Sequence, residues 1–346
     1  IWQSSCQPPK RKDMKIFITG IAGFLGSHLA KELSALGHEV SGNDNLVGGE
    51  VYNVPKNVDF SFADCTDFCA MEKLLEGVDI VIHAAATAHE GLSVFSPSFI
   101  TKNIFEASVT TISAAISNNV KRFVFCSSMA RYGNQVAPFT EDMDPKPVDP
   151  YAIAKVAAEQ VLQNLSETHG MEWNIAVPHN IIGPRQRYDD PFRNVLSIML
   201  NRNLQDKPVY IYGDGEQVRC FSYVSECTDS LIKMALDPNI TSEVINIGPD
   251  EGEITINRLA ELVASETGCN LEPIHVADRP REVKISHCSS DKARRLLDYK
   301  PTITLQEAIR NTADEIRIRG TKEFDYTFPL EINSDITPDT WKKRLI

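Results

Sequence analysis

No stretch of this 346-residue chain comes near the ~20 consecutive apolar residues of a membrane-spanning helix. Basic residues are also in short supply. Against 47 Asp and Glu stand 35 Lys and Arg, and the formal charge is −12. Nucleic acids and anionic membranes are bound through basic patches, so neither is an expected partner, although a local arginine cluster could still hold a phosphate. Paired cysteine spacing of the metal-binding kind is missing, for Cys65 and Cys69 stand alone as a Cys-x-x-x-Cys. No metal site is expected. A chain of this length needs no disulfide staples, which leaves its 8 cysteines as reduced thiols of a cytoplasmic protein. The opening IWQSSCQPPKRKDM has no apolar run of a secretion signal, and residues 1–13 read as a disordered tail. Internal repeats are absent as well.

The composition itself is ordinary. Hydrophobic residues make up 42% and charged residues 24%, enough for one large or two modest domains with a core. From Met14 short apolar runs alternate with amphipathic segments. KIFIT (15–19), EVSGN (39–43), VDFSF (58–62), DIVIHAA (79–85), RFVFCSS (122–128) and WNIAVP (173–178) read as six strands. Helices are expected over 25–37, over about 100–118 and from Tyr151 onward. Strand and helix in alternation imply an α/β fold with a doubly wound parallel sheet over residues 14–178. From 179 to 320 the texture is mixed, with helices near 192–203 and 254–268 and strands at PVYIYGDGE and EVINIG. This reads as a smaller α/β lobe, with about 215–248 returning to the sheet. Residues 321–346 form an extension of no clear periodicity.

TGIAGFLG sets Gly20, Gly23 and Gly26 between the first strand and the first helix. Glycines there allow a tight turn and bring backbone amides to a pyrophosphate at a helix N-terminus. Asp44 follows the second strand at close to the ~20-residue spacing of the acid that binds a ribose hydroxyl. A carboxylate there repels a 2′-phosphate, so NAD is favoured over NADP. DPYAIAKVAAEQ (149–160) then puts Tyr151 and Lys155 on one helical face, one turn apart. The pair is either solvated or a base with a cation beside it, since a cation favours the phenolate.

Several motifs together carry a resemblance: TGIAGFLG, Asp44-Asn45, HAAA at 83–86, FVFCSSMARYG at 123–133 and PYAIAK at 150–155. HNIIGPRQ at 179–186, YIYGDGEQVRCFSYV at 210–224, RPREV at 279–283 and DKARRLLDYKP at 291–301 continue it in colinear order. The chain resembles the extended short-chain dehydrogenase/reductase family, and within it the nucleotide-sugar 4-epimerases, over roughly residues 14–320. The resemblance implies a Rossmann-type domain and epimerisation at C4 of a UDP-hexose or UDP-N-acetylhexosamine through a transient 4-keto sugar. It implies Tyr151 as base, Lys155 as partner of the phenolate and of the nicotinamide ribose, and Ser128 on the sugar O4. Tyr132-Gly133 fixes Ser128 rather than Ser127 as the matching serine. Moving a phenol from its usual ~10 to neutrality takes about 4 kcal/mol, with Lys155 and the nicotinamide ring as expected sources.

The same likeness assigns NAD contacts to Gly20, Gly23, Phe24, Leu25, Gly26, Asp44, Asn45, Asp64, Cys65, Ala84, Ala85, Ala86, Asn103 and Pro178, besides Tyr151 and Lys155. It assigns substrate contacts to Asn180, Arg219, Arg279 and Ser286, the serine leaving room for an N-acetyl group. Homodimers through paired helices are implied too. Departures from the family pattern fall at Glu106-Ala107, Met129-Ala130-Arg131, His179 and Cys220, and Arg131 could face the substrate. Met129-Ala130 lacks the acids that related dehydratases and decarboxylases carry after this serine. A non-catalytic NAD-binding regulator is the reading from another class, and the complete Ser128, Tyr151, Lys155 set speaks against it.

Overall fold

The computed structural model describes residues 14–346; the expected tail at 1–13 lies outside the described residues. Seven strands form one parallel sheet: β1 (Lys15–Thr19), β2 (Glu39–Asp44), β3 (Asp59–Phe62), β4 (Ile80–His83), β5 (Arg122–Cys126), β6 (Glu172–Pro178) and β7 (Glu243–Ile247). Their order is β7-β6-β5-β4-β1-β2-β3. The chain therefore works outward from β1 to β3, then returns to start β4 on the other side of β1. That reversal opens a crevice at the carboxyl ends of β1 and β4, where a doubly wound sheet binds its ligand.

Helices cover both faces of the sheet. In β1 the side chains alternate: Ile16 and Ile18 join one core with Leu29, Leu33, Leu231 and Met234, and Phe17 joins the other with Val81, Phe123, Phe125 and Leu162. Helix α1 (Phe24–Ala35) begins at the glycine loop. Helix α2 (Phe68–Leu74) is capped by Asp67. The next helical stretch runs as Pro97–Thr101, a wider π turn over Lys102–Glu106, and α3 (Ala107–Ser117). Asn103 sits in the π turn, a deviation that often marks a functional position.

Helix α4 (Pro150–His169) carries Tyr151 and Lys155, and its ends follow from sequence. Asp149 accepts from the Ala152 amide at 2.9 Å, Pro150 occupies the first turn, and Gly170 ends the helix at φ 74°.

Beyond β6 the chain builds the smaller lobe around α5 (Val195–Asn203), α7 (Ile256–Thr267) and α8 (Leu305–Arg319), with Leu200, Ile211, Leu259, Val263 and Ile309 in its core. Between them, α6 (Val224–Leu236) and β7 belong to the sheet domain: α6 packs on α1, and β7 pairs with β6 from Asn174↔Glu243 to Pro178↔Ile247. The return to the sheet thus starts at Val224 rather than near 215, because Val218–Arg219 is taken up by strands 254–255 and 285–286 of the lobe. Helix α5 starts at Val195, later than expected, since the Asn194 side chain caps it by accepting from the Leu196 amide at 3.0 Å.

The extension at 321–346 has little regular structure and is nonetheless packed. Phe328 and Trp341 form a core with Leu92, Phe95 and Phe192. Glu331 accepts from the Ser98 and Phe99 amides at 2.9 and 2.7 Å. Among the described residues no helix is long and apolar enough to cross a membrane.

Candidate active site

A cavity of about 470 Å³ opens at the crevice and runs from the glycine loop to the smaller lobe. At one end the Gly20 amide donates to the Asn43 carbonyl at 2.8 Å. Gly20 has φ 70°, and a Cβ there would meet Ala85 Cα at 2.8 Å. A Cβ on Gly26 would stand 2.2 Å from the Gly20 carbonyl oxygen, so helix and loop approach as only glycine permits. Phe24 and Leu25, in the first turn of α1, line the cavity with amides that have no partner inside the helix.

Asp44 closes β2. Its carboxylate accepts from the Ala22 amide at 3.1 Å and the Leu46 amide at 2.7 Å, and burial pushes its pKa up. Asn45 donates to Asp64 at 2.9 Å. The Cys65 thiol is pushed up to about 11 by burial, which makes it a packing group rather than a nucleophile. Ala84, Ala85, Ala86, Asn103 and Pro178 complete this end. A glycine cradle without room for side chains, beside a carboxylate at the end of the second strand, fits NAD.

At the centre, Tyr151 and Ser128 both line the cavity, and the Ser128 hydroxyl acts to lower the pKa of the phenol. Ser128 stands just past β5 and also accepts from the Ala130 amide at 3.2 Å. Lys155, buried one turn along α4, donates to the Cys126 carbonyl at 2.6 Å and lies 4.9 Å from the Phe125 ring centroid. Burial lowers its pKa to about 8. The phenol of Tyr151 is displaced upward by burial; Ser128 and Arg193 oppose this, while Glu90 and Asp149 add to it. Burial is thus the largest influence of the protein's own groups on the phenol, acting against the expected downward shift, and the ammonium of Lys155 is engaged by a carbonyl.

At the far end Arg219 and Arg279 are tied together by Glu282. Arg219 Nη2 donates to one of its oxygens at 2.9 Å, and Arg279 Nε and Nη2 donate to the other at 2.9 and 2.6 Å. Arg279 also stacks on Tyr212 at 4.8 Å. Asn180, at φ 43°, donates to the Cys220 carbonyl at 2.9 Å. Of the site residues expected from sequence, Ser286 alone does not line the cavity; its hydroxyl rests 3.8 Å from Met129 Sδ, on the strand paired with Arg219.

Arg131 faces inward instead of toward a ligand. It pairs with Glu159 at 3.0 Å, and Glu159 accepts from Ser127. His83 bridges Thr19 and Ser108 at 2.9 and 3.0 Å, with its pKa lowered to about 3 by burial. His179 contacts the Pro249 carbonyl at 3.0 Å. Among the described residues no cluster could hold a metal ion.

Sequence reasoning missed Glu90, Phe192, Arg193, Glu282, Phe328 and Ile346 in the cavity wall. Glu282 lies inside the RPREV motif and was within reach of that signal; Phe328 and Ile346 come from a segment with no pattern at all.

Residues 16–248 match the NAD dependent epimerase/dehydratase family. An uncharacterized UDP-glucose epimerase of Bacillus subtilis is 30% identical over 312 residues, covering 86% of this chain and 96% of that protein. A crystal structure of the Thermus thermophilus UDP-glucose 4-epimerase in complex with NAD superposes with TM-score 0.81 and 30% identity, covering 88% of this chain and 99% of the other. The UDP-N-acetylglucosamine 4-epimerase of Methanobrevibacter ruminantium, in complex with UDP-N-acetylmuramic acid, gives TM-score 0.83 and 30% identity, covering 89% and 100%. With this coverage and likeness of fold, the chain belongs to the NAD dependent epimerase/dehydratase family, as an NAD-using enzyme of the UDP-sugar epimerase type.

Proposed function

We propose that the protein epimerises C4 of a nucleotide-activated hexose, UDP-GlcNAc/GalNAc or UDP-Glc/Gal, through a transient 4-keto sugar. The observation that carries this reading is the placement of Tyr151, Ser128 and Lys155 in one cavity between the glycine loop and the two arginines. NAD+, when bound, would supply a hydride acceptor and a positive charge that favours the phenolate. As phenolate, Tyr151 takes the proton of the O4 hydroxyl and returns it after the keto sugar has turned over. Ser128 donates to O4 as that oxygen becomes a carbonyl. Lys155, anchored on Cys126, keeps a positive charge one turn from the phenol and holds the ribose of the cofactor.

Asn180, Arg219 and Arg279 hold the nucleotide diphosphate, with the guanidinium forks spaced by Glu282. Met129 and Ala130 place no acid behind Ser128, which argues against elimination or decarboxylation. Ser286, with its hydroxyl 3.8 Å from Met129 Sδ, is the serine proposed to leave room for an N-acetyl group. A homodimer paired through α4 belongs to the same proposal, with Ile153, 53% exposed on that helix, as a side chain it would cover.

The test is to incubate the protein separately with UDP-glucose, UDP-galactose, UDP-GlcNAc and UDP-GalNAc and to follow the products by NMR. Interconversion at C4 that disappears in Tyr151→Phe supports the proposal. No turnover of any of the four rejects it.

A further inference from the structure

Glu90 stands out in the cavity wall. It opens the short helix Glu90–Ser93, and its backbone is pinned on both sides. On one side His89 contacts Asp190 at 2.7 Å, both fully buried. On the other, Ser93 donates to the Glu90 carbonyl at 2.7 Å and to Asp149, the cap of the Tyr151 helix, at 3.3 Å. The neighbouring Gly91 lies against Arg279, since a Cβ built on it would be 3.3 Å from Nη1. Glu90 therefore sits between Tyr151 and the arginine pair, the span a sugar occupies when its diphosphate is on the arginines and its C4 is at the tyrosine. Its side chain keeps solvent contact through the cavity. Among the described residues its carboxylate makes no hydrogen bond or ion pair.

We infer that the Glu90 carboxyl faces the hexose and selects neutral sugars against hexuronates. This rests on the UDP-hexose reading above. A neutral hexose offers hydroxyl donors to a carboxylate, whereas a hexuronate sets like charges together. The other groups acting on Glu90 are Asp149 and Glu282, both acidic, and Arg219 and Arg279, which Glu282 already engages and the diphosphate would occupy. Tyr151, also beside it, is the proposed base and carries no positive charge. The remaining arginines of this wall are engaged elsewhere: Arg193 with Asp190, and Arg187 with Asp189 and Asp325.

Burial, then Asp149 and Glu282, raise Glu90 to about 7. The carboxyl is thus largely neutral at pH 6 and ionised at pH 8.5, whereas a hexuronate is ionised at both. Discrimination should therefore grow with pH. Loss of charge at Lys155 over this range also disfavours a hexuronate, so the part assigned to Glu90 is the difference between wild type and Glu90→Gln.

The experiment measures dissociation constants of UDP-glucose and UDP-glucuronate for the NAD-loaded protein at pH 6 and pH 8.5, in wild type, Glu90→Gln and Glu90→Asp. In wild type the preference for UDP-glucose should rise about tenfold or more over this range. The rise should shrink in Glu90→Gln and be retained in Glu90→Asp. A flat ratio in wild type, or a slope undiminished in Glu90→Gln, overturns the inference. Epimerisation of the four UDP-sugars named above is followed separately: its absence for all four with the binding slope intact would sink the epimerase reading and leave the selection by Glu90 standing.

Discussion

The ammonium of Lys155 donates to the main-chain carbonyl of Cys126 at 2.6 Å, at the very end of β5. Helix α4 and the sheet are joined at that bond, and Ser128 follows two residues later. The strand that anchors the lysine thus also delivers the serine that lines the cavity with Tyr151.

Because burial lowers Lys155 to about 8, its charge fades as pH rises through that value. Turnover should decline above about pH 8. Lys155→Arg, whose charge persists, should carry the alkaline limb upward even at lower overall activity. A pH–rate profile of both proteins checks this, and an unmoved limb would assign it to another group.

Tyr151→Phe should lower turnover by about 100-fold or more, the scale of a lost general base. Ser128→Ala should cost about 10-fold or more, as expected for one hydrogen bond to a charged group. Steady-state kinetics with NAD content measured alongside separates a chemical defect from a loss of cofactor.

Arg219→Ala should weaken UDP binding about tenfold or more, the worth of one charge-assisted contact. Titration calorimetry with UDP alone reads this without turnover. Equal affinity in the variant would place the diphosphate elsewhere.

His83 is buried against Thr19, Ser108 and Phe125, and its pKa falls from 6.5 to about 3. Between those values the unfolded chain binds a proton there and the folded protein does not. Its contribution is therefore lost as pH falls below 6.5, by up to about 1.4 kcal/mol per pH unit. Glu32, Glu90 and Glu159 shift upward and oppose this trend, so the readable quantity is a difference. Denaturant unfolding from pH 6.5 to 4 should show wild type losing stability more steeply than His83→Gln.

Trp341 is 2% exposed and packs edge-on against Phe95 and Phe192 at 5.7 and 5.0 Å. Trp341→Ala should cost about 3–5 kcal/mol and lower the melting temperature. Its neighbour Thr340 is bonded to Tyr212 at 2.6 Å, and Tyr212 carries Arg279, so KM for the UDP-sugar should rise more than kcat falls.

Local chemistry made much of this legible beforehand. Gly20 and Gly26 announce a turn that no side chain can enter, and Asp149, Pro150 and Gly170 bound the helix of Tyr151 and Lys155. Those signals act within a few residues of their effect. Glu90 gave no such signal, because its significance comes from Arg279 and Tyr151, which the chain brings near only through the fold. The same holds for Phe328: its segment has no period, and what orders it is a surface made by Phe99 and Phe192. The surroundings of Tyr151 were hidden for a related reason. Helical spacing places a lysine near the phenol but cannot reveal that the Cys126 carbonyl engages the ammonium or that burial acts on the phenol in the opposite direction.

The most direct measurement uses UDP-glucose carrying deuterium at C4, incubated in ordinary water with the NAD-loaded protein, and a parallel unlabelled reaction in heavy water. The account predicts UDP-galactose that keeps its C4 label and takes up no solvent deuterium at C3 or C5. Solvent deuterium at C3 or C5, or loss of the C6 oxygen, would contradict it and move the chemistry away from C4 epimerisation.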